Sequence, residues 1–142
     1  MMLNCKLKED TNQEIGIWDI VTSPYTDIRG VRRIGLFLVV YMEAEDPNDF
    51  NNRNLVGLKL TSKDLYANVY RTLVTTKEVP KLTSNSYIYA NKPSTLLVNH
   101  CRFVSKLPIS LCEKVMDKLM TYLNQVHSQT NKTLINKLKG GE

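Results

Sequence analysis

Eight consecutive residues, Ile34-Gly35-Leu36-Phe37-Leu38-Val39-Val40-Tyr41, carry no charge. The run is β-branched and aromatic and has no polar face, so it reads as a central strand buried on both sides. Just ahead of it lies a polar loop, Pro24 to Arg33, broken at Gly30. The loop delivers two adjacent arginines, Arg32 and Arg33, to the mouth of that strand. Guanidinium groups held at a strand end can grip a phosphate through a rigid bidentate fork. Thr61-Ser62-Lys63 and His100-Cys101-Arg102 also follow strand-like runs. Together they point to a phosphodiester site without metal ligands.

Short strands dominate the first two-thirds of the chain. Ile15 to Val21, Leu55 to Thr61, Val69 to Thr75, Ser86 to Ala90 and Thr95 to Asn99 each have strand composition. Trp18 is placed to cover a core edge, and Asp64 to Tyr70 has the alternative of a helical turn. Glu45 to Asn54 and Asn91-Lys92-Pro93-Ser94 read as turns. After Pro108 the period changes. Ser110 and Glu113 make a Ser-x-x-Glu capping box. Behind it Leu111, Val115, Leu119, Tyr122 and Val126 recur at helical spacing, with Cys112, Met116 and Leu123 widening the apolar stripe. The helix is expected to end near His127. This predicts a mainly β, α+β domain over residues 15–127: a strongly curved antiparallel sheet or barrel with a helix packed on it. Residues 1–14 read as a flexible lead-in. Residues 128–142 read as a basic tail, in which Thr133 to Lys139 can form a short helix.

Charge is divided unevenly along the chain. Residues 1–49 hold 5 Lys/Arg against 9 Asp/Glu, whereas residues 50–142 hold 14 against 5. That split offers a basic face to an anionic partner, with nucleic acid the commonest such partner; a solvated, lysine-rich surface is the plainer reading. Cys5, Cys101 and Cys112 have no zinc-site spacing, and His100 and His127 are too scattered to complete one. No metal or cofactor is expected. The reducing cytoplasm is the expected compartment. The N-terminus lacks the apolar core of a signal peptide, and no apolar run approaches the roughly 20 residues that span a bilayer.

Taken in order, these motifs resemble the MazF/PemK toxin family. Gly16-Ile17-Trp18-Asp19-Ile20-Val21 resembles its "GDIV" strand, with two residues inserted. Pro24-Tyr25-Thr26-Asp27 with Gly30 to Arg33 resembles its "PYTD…G…RRP" loop, and Leu36 to Val40 its "ALVI" strand. Leu60-Thr61-Ser62-Lys63 resembles its "ITSK", and Val98 to Lys106 its "xxQxRTVSK". The resemblance spans roughly residues 15–125. It implies an SH3-like barrel, a homodimer and a metal-independent endoribonuclease acting on single-stranded RNA. It also implies an antitoxin whose segment fills the RNA groove. Ile34 stands where the family has proline, which leaves open whether Arg32 or Arg33 is the key arginine. His100 and Phe103 stand at its Gln and Thr positions.

On this reading Arg33 or Arg32 and Thr61 are the catalytic candidates. The arginine supplies charge, and proton transfer as a lesser role; Thr61 donates a hydrogen bond to the phosphate. Arg102, His100, Ser62, Lys63, Tyr25 and Lys106 are the RNA-binding candidates. Each has a plainer role: strand-end arginines are usually surface residues, Thr61 can end a strand through a local hydrogen bond, and tyrosines can fill sheet faces. Two other functions fit the residues. One is a non-catalytic binding protein on the same fold, as in the gyrase-inhibiting sister branch. The other is a different basic nucleic-acid-binding module, supported by charge alone.

Overall fold

The computed structural model describes residues 15–43, 53–63 and 69–140. Within them the strands are β1 (Asp19–Thr26), β2 (Arg32–Met42), β3 (Asn54–Thr61), β4 (Arg71–Val74), β5 (Ser86–Leu97) and β6 (Arg102–Lys106). A 3₁₀ turn spans Val98–His100, and one helix, α1, runs from Ile109 to Gly140. The strands form a six-stranded sheet in the order β4-β5-β3-β2-β1-β6, with antiparallel neighbours throughout. The sheet curls into a half-barrel, and α1 packs over β4 and β5.

The middle of the uncharged run, Phe37 to Val39, is buried on both sides, whereas its ends, Ile34 and Tyr41, are exposed. Leu38 joins Ile20, Leu58, Ile88, Leu111 and Val115 in a core on the helix side. Phe37 and Val39 join Val21, Leu55, Leu96 and Cys101 in a second core on the opposite side. Alternate strand residues point to opposite faces, so neighbours in sequence feed different cores. Ile20 and Val21 divide in the same way.

Several boundaries differ from the sequence expectation. The first strand begins at Asp19 rather than Ile15. Trp18 takes a positive φ of 74°, and the buried Asp19 carboxylate accepts the Gly16 N–H at 2.7 Å, which makes Ile15 to Trp18 a turn. Trp18 is partly buried against the helix-side core, as expected. Pro24, Tyr25 and Thr26 belong to β1, not to the loop. β6 pairs only with Asp19 to Thr22, so Pro24 sits where the strand has a free edge and its missing N–H costs nothing. Ser86 to Leu97 is one continuous strand rather than two. Its register against β3 shifts between Leu58 and Leu60, and Pro93 lies beyond the stretch that pairs with β4.

The helix also differs. Its first bonds run from the Leu111 and Cys112 N–H groups to the Pro108 carbonyl, so Ser110 lies inside the first turn rather than at the cap. It continues through His127 to Gly140 without a break. Leu111 and Val115 are buried, but Met116, Leu123 and Val126 are 46%, 49% and 41% exposed and add nothing to the core. The Asp64 to Tyr70 alternative and the Glu45 to Asn54 turn fall largely outside the described residues. Among the described residues, no helix is long and apolar enough to cross a membrane.

The two cores should fail together, because β2 contributes to both. Leu38→Ala should lower unfolding free energy by about 2–5 kcal/mol and Phe37→Ala by about 3–5. Ile34, 75% exposed on the same strand, should tolerate alanine within about 0.5 kcal/mol. Urea titrations followed by Trp18 fluorescence and far-UV circular dichroism should show one coincident transition for each variant.

Candidate nucleic-acid interface

The loop between β1 and β2 is built around one carboxylate. Asp27 Oδ1 accepts the N–H groups of Arg29 and Val31, both at 2.9 Å. Its backbone N–H donates to the Val31 carbonyl, and its carbonyl accepts the Gly30 N–H. Gly30 has φ +84°, a conformation that suits glycine. The other carboxylate oxygen, Oδ2, accepts Arg33 Nε at 2.6 Å. Arg33 is thereby held through Nε. The charge-assisted bond holds the Asp27 carboxyl below its ordinary range and the Arg33 guanidinium above its own.

Arg33 lies opposite Tyr25 in the β1–β2 ladder. By strand alternation it shares a face with Gly35 and Phe37. Lys59 faces Phe37 across β3, and Thr61 is two residues further on the same side. Lys59 Nζ sits 3.3 Å from the centre of the Tyr25 ring and 5.3 Å from that of Phe37. A Cβ at position 35 would lie 2.8 Å from both Lys59 Nζ and Tyr25 Cε1, so glycine makes room for this stack. The Thr61 hydroxyl oxygen accepts the Lys63 N–H at 3.2 Å. That is the local bond of the plainer reading, and it leaves the hydroxyl proton free to be donated elsewhere.

Arg32 points the other way. It pairs with Thr26 and lines a cleft of about 290 Å³ with Pro24, Asn99, His100, Cys101 and Arg102. Arg102 is opposite Thr22 on β6, and His100 ends the 3₁₀ turn that precedes that strand. The candidate residues therefore fall into two sets. Arg33, Tyr25 and Thr61 share one face; Arg32, His100 and Arg102 share the cleft. Ser62 and Lys63 are exposed beyond the end of β3. Lys106 is drawn to Asp19, with Nζ 3.2 Å from Oδ1, and stands apart from both sets.

Two residues at this site escaped the sequence reading. Asp27 was visible only as part of a loop motif, although an Asp opening a Gly-containing turn is a mechanism for an Asx-type cap. Lys59 is the one charged residue in Leu55 to Thr61 and faces the second core's aromatic edge. Among the described residues, no cluster of three His, Cys, Asp or Glu side chains could hold a metal ion.

Asp27→Ala should speed hydrogen exchange at the Arg29 and Val31 amides while leaving the β2 amides protected. Acid should do the same to the native protein. Because the folded carboxyl titrates below its unfolded counterpart, its contribution is complete above the ordinary carboxylate range and is lost as pH falls through the lowered value. Exchange that is fast at both amides at neutral pH in the native protein would contradict this account of the loop.

Neither a family model nor a curated protein matches the sequence. Among solved structures the chain is similar to one described as an endoribonuclease from mycobacterial species. The two share 15% identity over 77% of this chain and 91% of the other, with a TM-score of 0.53. At that identity the likeness is one of fold alone.

Proposed function

We propose that the protein is a metal-independent endoribonuclease that cleaves single-stranded RNA, working as a homodimer and restrained in the cell by an antitoxin protein. The observation that carries this reading is the shared face of Arg33 and Thr61, with Arg33 oriented by Asp27. The fold likeness and the basic balance of residues 50–142 support it.

The reaction needs few parts. The 2′-oxygen attacks the adjacent phosphorus, the bond from phosphorus to the 5′-oxygen breaks, and the products are a 2′,3′-cyclic phosphate and a 5′-hydroxyl. The net proton movement is from the 2′-hydroxyl to the departing 5′-oxygen. Arg33 supplies charge to the phosphoryl oxygens through its terminal nitrogens, and Thr61 donates a hydrogen bond there. With its guanidinium held above an already high range by Asp27, Arg33 acts by charge and not as a base. Arg32, Arg102 and His100 hold a neighbouring stretch of the strand from the cleft. Tyr25 offers a ring edge to a base, and Ser62 and Lys63 contribute polar or charged contacts along the approach.

Labelled RNA incubated with the purified protein in EDTA should be cut, leaving 2′,3′-cyclic phosphate ends. Arg33→Ala should slow cleavage roughly 100- to 1000-fold, and Arg33→Lys should restore little, because a point charge does not reproduce a planar fork. Arg32→Ala should weaken RNA binding more than turnover and lower the salt dependence of binding by about one ion. Binding without cleavage in the native protein would assign the chain to the non-catalytic alternative. Full activity in both arginine variants would remove this loop from the site.

A further inference from the structure

The register lays Arg33, Gly35 and Phe37 in one row along β2, and Thr61 and Lys59 in the adjacent row along β3. Leu36 pairs with Leu60 and Phe37 with Lys59, so Thr61 comes level with Gly35. Lys59 starts at the far end of its row, opposite Phe37, but its ammonium lies elsewhere. A Cβ added at position 35 would be 2.8 Å from Lys59 Nζ. The stem therefore runs back along the sheet, and the charge rests over Gly35. That point is one step along β2 from Arg33, about 7 Å between backbones, and one strand across from Thr61, about 5 Å. Tyr25, which faces Arg33 across the β1–β2 ladder, reaches the same point, its Cε1 also 2.8 Å from the added Cβ. The ring sits against the ammonium, 3.3 Å from Nζ to its centre, and holds it there.

We infer that Lys59 is a third residue of the reacting centre, its ammonium holding non-bridging oxygens of the phosphate that Arg33 and Thr61 engage. This rests on the ribonuclease reading and gives that site a residue outside the motifs of the family resemblance, which begin at Leu60 on this strand. The plainer role for Lys59 is to cover the edge of Phe37 with its stem. That role needs no charge, and a lysine serving it carries its ammonium outward to water. Here the half-buried side chain turns its ammonium back over the sheet, into the space between the two catalytic candidates. Attack by the 2′-oxygen gathers negative charge on the phosphoryl oxygens. A cation fixed beside them therefore stabilises the transition state more than the bound RNA. Lys59 exchanges no proton in this role, and the bonds made and broken are those of the reaction given above. Gly35 becomes part of the site as the residue that leaves room for the charge.

The test uses the full chain and three variants. Lys59→Met keeps an unbranched apolar stem against the rings of Tyr25 and Phe37 and removes the charge. Lys59→Arg restores a charge, and Gly35→Ala keeps Lys59 but fills the point where its ammonium rests. Two quantities are measured: the cleavage rate of labelled RNA in EDTA, and the affinity, over a range of salt, for the same sequence with 2′-deoxy sugars, which cannot be cut. Lys59→Met should slow cleavage roughly 100-fold, weaken binding by less than about tenfold, and lower the salt dependence of binding by about one ion. Lys59→Arg should recover part of the rate. Gly35→Ala should slow cleavage roughly tenfold or more, which tests the placement even where Lys59→Met does not fold. A Lys59→Met protein with a shifted urea midpoint but native rate and salt dependence makes Lys59 a packing residue and overturns the inference. Equal losses in rate and binding put Lys59 against a neighbouring nucleotide and also overturn it. RNA left uncut by the native protein removes the ribonuclease reading itself, and the inference with it.

Discussion

Burial of β2 on both faces is the constraint from which most of this structure follows. A strand with solvent on one side could slip by two residues at modest cost, but β2 feeds Leu38 to one core and Phe37 and Val39 to another. A slip of one residue would exchange the two sets and leave neither core filled. The register is therefore pinned from both sides, and the pinning reaches the open end of the strand. Arg32 and Arg33 are consecutive, so they must diverge. One goes to the cleft beside Arg102, and the other to the face of Tyr25, Lys59 and Thr61. The division of the candidate site into two sets is thus a result of core packing and not of loop conformation.

Curling the sheet requires close approach at the bend, and Gly57 supplies it. A Cβ there would lie 2.8 Å from Leu96 Cδ1 and 2.9 Å from Phe37 Cβ. The edge at β6 is fastened separately. The buried Asp19 carboxylate binds the Gly16 N–H and the Lys106 ammonium, and the Leu107 N–H donates to the Trp18 carbonyl. This places Trp18, despite its unusual backbone, at the junction between the sheet edge and the start of the helix.

The strands and the helix were legible in the sequence because their periods are set by burial. The uncharged run, the Leu55 to Thr61 strand and the buried side of α1 all follow from apolar spacing. Strand ends were less legible. Pro24 and Pro93 look like breaks in a sequence, but each lies on a stretch lacking a neighbour on one side, a fact that depends on strand order. The end of α1 lay beyond the sequence expectation because apolar residues past His127 no longer repeat against the sheet-facing stripe, and the described side chains there are exposed. Arg32, Arg33, Thr61, His100 and Arg102 were visible as polar groups after strand-like runs. Which of them share a face needed the register.

Lys59 is held unlike the other cation on its face. Arg33 rests on a carboxylate, so an anion approaching it meets a charge already partly balanced and must compete with Asp27. Lys59 rests on the ring of Tyr25, and among the described residues no acid shares it. An aromatic ring holds an ammonium by about 0.5–2 kcal/mol and lends it no negative charge. Its positive charge is therefore not offset by a carboxylate, and it sits in a gap that only a glycine at position 35 leaves open. The face carries one cation paired with a carboxylate and one seated on a ring, and only the second keeps its whole field for an approaching anion.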